Sequence, residues 1–205
     1  MTKIEFENAY WKQYIELEKE LIDIGHYISI EEDNFSAYSL VLQKYILEVD
    51  SELDNVMKEI SGFSGEERSN IEKYYSNIVA AFPQIKNQSV TVNSFKLKPF
   101  DGWKEDQPSA SLAFWDEYNA IKHNRVANKK KASLKNAVYA LAALFILEMY
   151  EIDRKYKEDI TASINSPEDD TESSLFIMED WACHIRMSKI ETPYTIIDDD
   201  TGEVL

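Results

Sequence analysis

Residues 137–147 read AVYALAALFIL. The run falls far short of the roughly 20 apolar residues that a membrane-spanning helix needs. It therefore predicts a buried helix, extending over 133–158, whose apolar residues cover nearly every face. Such a helix must be the centre around which the others pack.

Outward from it, the chain reads as more helices. Residues 3–24 carry Ile4, Phe6, Trp11, Ile15, Leu21 and Ile24 at three-to-four spacing, the mark of an amphipathic helix, and Gly25 ends it. Residues 27–34 form a connector. A second helix spans about 35–60, with Asn34 or Ser36 as its N-cap and a core-facing stripe that includes Tyr38, Val41, Leu42, Tyr45, Val49, Leu53, Val56 and Ile60. A break at 62–65 precedes a third helix, about 66–82, stopped by Pro83. Residues 84–108 change character: β-branched alternation and the breakers Pro99, Gly102 and Pro108 predict a long loop with at most a short hairpin at 89–98. Loops of that length inside a domain are uncommon and often functional. Ser109 or Ser111 caps a fourth helix that runs to about His123. The expected fold is an all-α bundle of about five helices, with a long loop insertion before the fourth and an acidic C-terminal extension.

Composition sets the outer limits. The 205 residues are 44% hydrophobic and 29% charged, with five Gly and five Pro, as in a globular protein built of long helices. The one cysteine, Cys183, excludes an internal disulfide and cannot make a zinc site alone. It reads as a buried structural thiol, and the chain as cytoplasmic. The N-terminus, MTKIEFENAYWKQ, lacks the apolar core of a signal peptide.

A net charge of −16 opposes broad binding to nucleic acid. The average conceals an asymmetry. Residues 158–205 hold thirteen Asp or Glu against two basic residues, whereas 119–135 hold Lys122, Arg125, Lys129, Lys130, Lys131 and Lys135 and no acid. A basic cluster on an acidic body can steer an anion to one place.

Within it, Asn119, Lys122 and His123 stand at i, i+3 and i+4 and share a helix face. Arg125 swings back to them if the helix ends near Asn124. These residue types fit cleavage of RNA by its own 2′-hydroxyl. The imidazole of His123 accepts the 2′-OH proton or donates one to the leaving 5′-oxygen. Arg125 and Lys122 stabilise charge on the phosphorane, and Asn119 orients the ring or binds phosphate. Lys129, Lys130 and Lys131 would bind the flanking phosphates. The chemistry calls for neither metal nor cofactor. A simpler reading is that His123 caps the C-terminus of the fourth helix, where positive charge is favourable.

The stretch WDEYNAIKHNR at 115–125, the apolar helix KNAVYALAALFIL at 135–147 and two long N-terminal helices together resemble the HEPN superfamily of helical bundles. The stretches NFSAYS at 34–39 and LKPFDGW at 97–103 resemble parts of one HEPN-like subgroup. The likeness covers about residues 4–157. It divides the chain into a bundle at 1–160 and an acidic linker and extension at 161–205. It implies a metal-independent endoribonuclease active as a homodimer, of the kind found in antiphage defence or toxin–antitoxin systems. His123 would be its general acid/base, Arg125 and Lys122 its phosphate contacts, and Asn119 the polar residue before the histidine. One departure stands out. The family motif places four to six residues between an arginine and the histidine, and positions 116–118 are Asp116, Glu117 and Tyr118. The alternative is a non-catalytic interaction or nucleotide-binding module, an antitoxin-like or sensor subunit with a protein partner. The two readings differ in what they require of His123. The first needs it open to solvent beside Arg125, the second buried and bonded within its own protomer.

Other candidates have plainer readings. His26 caps a helix end. His184 adjoins Cys183, but neighbours in a strand face apart. Trp103, Phe114, Trp115 and Tyr118 suit a core better than base stacking, and Asp198–Asp200 reads as solvated acidity.

Overall fold

Thr2 and Glu5 open the first helix with a reciprocal cap. The Thr2 hydroxyl accepts from the Glu5 amide and the Glu5 carboxylate from the Thr2 amide, pairing two donors that a helix start leaves over. The computed structural model describes residues 1–63, 70–158 and 172–181. Helix α1 (Lys3–Phe6) continues through a π-helical turn (Glu7–Trp11) into α2 (Lys12–Gly25). Helix α3 (Leu40–Ile60) buries Leu42, Tyr45, Ile46, Val49, Leu53, Val56, Met57 and Ile60, one stripe at helical spacing, whereas Tyr38 and Val41, expected in that stripe, are exposed. Helix α4 (Ile71–Ala81) is capped by the Asn70 side chain. Helices α5 (Ala113–His123) and α6 (Leu134–Glu158) are the last two α-helices among the described residues.

As its composition demands, α6 is buried on nearly every face, Ala140 through Met149 without interruption. Its most extensive partner is α3, and α2 and α5 pack against both. No described helix is long and apolar enough to cross a membrane.

The fold is mainly helical, as expected, and adds a small antiparallel sheet that an all-α bundle would lack. Strands β1 (Val90–Val92) and β2 (Phe95–Leu97) pair Val90 with Leu97 and Val92 with Phe95. Strand β3 (Ile177–Met178) adds to the other edge of β1. Asn93 takes the tight-turn conformation at φ 50, and its amide donates to the Ile30 carbonyl at 2.8 Å. The rest of the 84–108 segment is anchored too, through the buried side chains of Phe100 and Trp103.

Three helix starts also differ from expectation. Helix α4 begins at Ile71, behind an extended Asn70, not at about 66. Helix α3 begins after Ser39, whose hydroxyl accepts from the Leu42 amide at 3.0 Å, not at Asn34 or Ser36. Helix α5 begins after Leu112 with no side-chain cap. Ser111 instead accepts from the Lys104 amide at 2.9 Å.

The described part of the C-terminal extension is fastened to the bundle. Buried Glu18 accepts from the Tyr14 hydroxyl at 2.6 Å, from the Ser173 hydroxyl, and from the amides of Ser174 and Leu175 at 2.9 and 3.2 Å. Phe176 stacks on Phe145 at 5.8 Å and Trp181 tilts over Tyr150 at 4.8 Å. The beginning of the third predicted helix, most of the acidic linker, Cys183, His184 and Asp198–Asp200 lie outside the described residues.

Three described acids are wholly buried. Glu151 pairs with Arg154 and Lys155 at 2.7 and 3.0 Å, whereas the carboxyls of Asp50 on α3 and Glu148 on α6 accept no hydrogen bond from a described residue. Burial pushes both well above their ordinary values of 3.8 and 4.5, because desolvation disfavours the charged form. Above the ordinary value the native state therefore holds a proton that the unfolded chain has lost, and stability falls as pH rises through that window. Each such group contributes a slope of up to about 1.4 kcal/mol per pH unit. Thermal melts of Asp50→Asn and wild type from pH 4 upward should accordingly diverge in favour of the variant. Parallel curves would mean that Asp50 is not held protonated.

Candidate nucleic-acid interface

Helix α5 seats its inner face by burying Phe114, Trp115, Tyr118 and Ile121, spaced to meet α3 and α6. Its last turn therefore presents Lys122 and His123 outward, and both are exposed. Backbone helicity stops at Asn124 (φ −150, ψ 84), and two asparagines hold the chain that follows. The Asn128 amide donates to the Ala120 and Asn124 carbonyls at 2.9 and 3.0 Å, pairing acceptors that a helix end leaves over. The Asn124 side chain accepts from the Ala127 amide at 3.1 Å. Arg125 and Val126 lie exposed within this turn. Sequence reading did not single out Asn124 and Asn128 as the residues that shape the loop. Two Asn four apart after a helical histidine were the available signal.

The loop then doubles back along α5. Lys129–Lys131 form a 3₁₀ turn, and the Lys131 ammonium lies 4.0 Å from the Asp116 carboxylate. Asp116 precedes His123 by seven residues, roughly 10 Å of helix rise. The six basic residues thus form a strip along α5 instead of one knot.

Within the strip the four proposed catalytic residues are differently engaged. His123 and Arg125 make no side-chain hydrogen bond or ion pair with a described residue. Lys122 donates to the Tyr118 hydroxyl at 3.0 Å and lies 5.2 Å from that ring's centre. The hydrogen bond raises the pKa of the ammonium against the opposing effect of its partial burial, and the Tyr118 and Asp54 charges add to the rise. Asn119 donates to the Ser109 hydroxyl at 3.5 Å and does not bond to His123. His26, in contrast, sits at the end of α2 with Nδ1 3.8 Å from the Asp23 carboxylate.

At its far end the strip borders an open groove of about 590 Å³ between the 35–38 segment, α5 and the start of α6. The segment is pinned there by backbone pairing. The Leu134 amide donates to Ala37 at 2.8 Å, the Lys135 amide to Phe35 at 3.2 Å, and Tyr38 bridges Ser133. Tyr38 and Glu117 line the groove with Lys130, Lys131 and Lys135. Neither was legible as a site residue, since only this pairing brings position 38 to position 133. Among the described residues no cluster of three or more His, Cys, Asp or Glu is placed to hold a metal. The fold and strip together define a mainly helical bundle with a basic edge on an acidic chain. No protein-family model, curated protein or solved structure matches it.

Proposed function

We propose that this is a HEPN-like RNA-acting protein, a metal-independent endoribonuclease that works as a homodimer in a defence or toxin–antitoxin type of system. The observation that carries the reading is the exposure of His123 beside exposed Arg125 on an acid-free stretch. A phosphodiester can approach both.

In the reaction the RNA 2′-hydroxyl oxygen attacks its own phosphorus as its proton passes to an imidazole. The P–O5′ bond breaks, and the 5′-oxygen leaves with a proton from an imidazolium. The products are a 2′,3′-cyclic phosphate and a 5′-hydroxyl. One neutral and one protonated imidazole serve both transfers at once, which two protomers sharing a cleft supply through their two copies of His123. Arg125 meets the equatorial oxygens, where charge builds up.

Lys122 enters this scheme through a change of partner from Tyr118. That engagement, with Asn119 turned to Ser109, favours a second reading, a non-catalytic nucleotide-binding or interaction module with the same basic edge, whereas the exposed His123 lacks the burial that reading calls for.

Incubation of the wild-type chain with mixed single-stranded RNA in EDTA tests the first reading. Fragments should appear, specific activity should rise with protein concentration until the dimer saturates, and the all-2′-deoxy counterpart should stay whole. Intact RNA at high protein concentration overturns the proposal, and equal cutting of DNA overturns its nucleophile.

A further inference from the structure

The groove beside the strip has a composition that phosphate binding alone does not explain. Lys130, Lys131 and Lys135 suit an anion, yet Glu117 faces the same space. A carboxylate repels phosphate and only accepts hydrogen bonds. Burial raises the Glu117 pKa while Lys131 and Lys135 draw it down, with Asp116 opposing them, so the acid lies within the field of those lysines. Tyr38 is 44% exposed and stacks on no described ring. A flat aromatic face, a two-oxygen acceptor and flanking ammonium groups together match an unstacked nucleobase with its phosphates. At about 590 Å³ the groove is of small-ligand size.

We infer that this groove is a base-reading subsite for single-stranded RNA, in which Tyr38 stacks on one base, Glu117 accepts its hydrogen bonds, and Lys130, Lys131 and Lys135 hold the adjacent phosphates. The base it takes is guanine. Only guanine offers two adjacent donors, N1–H and the 2-amino group, to both oxygens of one carboxylate. Lys131 stands beside Asp116, roughly 10 Å of helix rise from His123. The base read is therefore a neighbour of the bond cut, on the same strand. The assignment rests on the RNA-acting reading for its ligand but not on catalysis.

The test uses the full chain carrying His123→Ala, so that no probe is cut, and 5′-fluorescein-labelled oligouridines with one central G, A, C or U. Fluorescence anisotropy should show the G probe binding about 5- to 150-fold more tightly than the others, the range of one bidentate base contact. Adding Glu117→Gln, whose amide replaces one acceptor by a donor, should abolish that preference while affinity for the U probe persists. Adding Tyr38→Ala should weaken all four probes alike. Equal binding of the four probes, or a G preference that survives Glu117→Gln, overturns the assignment. If the wild type fails to cut RNA while the G preference stands, the nuclease reading falls and the groove remains. If it cuts and shows no preference, the reverse holds.

Discussion

Trp103→Ala should lower the free energy of unfolding by about 3–5 kcal/mol, the usual cost of emptying a buried tryptophan site. Trp103 is 1% exposed, meets Tyr75 edge-on at 5.0 Å and Phe100 at 5.3 Å, and donates Nε1–H to the Pro108 carbonyl at 3.0 Å. Alanine removes the ring from its cluster and leaves that carbonyl without its partner, two losses that add. Phenylalanine at the same position keeps most of the apolar surface and should cost less. Phe100 in turn meets Phe114 of α5 at 6.5 Å, so the loss reaches the helix that carries His123. Urea unfolding reads the change as a fall in midpoint with little change in slope. A loss below 1 kcal/mol for the alanine variant would show that the 98–112 segment does not anchor α5.

That anchoring explains where sequence and structure part. The periodic stretches sit close to their expected places because a 3.6-residue repeat of apolar side chains is a local property. The burial of α6 follows from AVYALAALFIL alone. The start of α3 does not follow, because the carbonyls of Phe35 and Ala37 receive the first amides of α6, nearly a hundred residues further on. A segment committed to that pairing cannot begin a helix, and the cap passes from Ser36 to Ser39. Ser111 similarly serves Lys104 instead of α5. Local capping signals name residues able to cap, and tertiary pairing chooses among them. The sheet was half legible. Its hairpin lay in the alternation at 89–98, whereas its third strand comes from position 177.

The site divides in the same way. Shared helical spacing put Asn119, Lys122 and His123 on one face, and an outward last turn followed from the buried stripe Phe114, Trp115, Tyr118 and Ile121. The side-chain partners did not follow. Tyr118 precedes Lys122 by one helical turn and was an available signal. Ser109 lies before α5, and only the fold turns it towards Asn119. Tyr38 and Glu117 come together because residues 35–38 lie against the start of α6. Charge composition pointed to the strip but gave neither its direction nor the groove at its end.

One imidazole carries the proposed chemistry. In the proposed reaction His123→Ala would remove the group that takes the proton from the ribose hydroxyl and gives one to the leaving oxygen, and a general acid–base residue contributes ~10²–10⁴-fold to rate. The side chain is exposed and contacts no described hydrogen-bond partner, so its loss should leave the melting temperature nearly unchanged. Single-turnover cleavage of one RNA by wild type and His123→Ala, at matched protein concentration in EDTA, separates chemistry from binding. The predicted result is a fall in rate of at least about 10²-fold with the RNA affinity retained. Equal rates for the two proteins would contradict the claim.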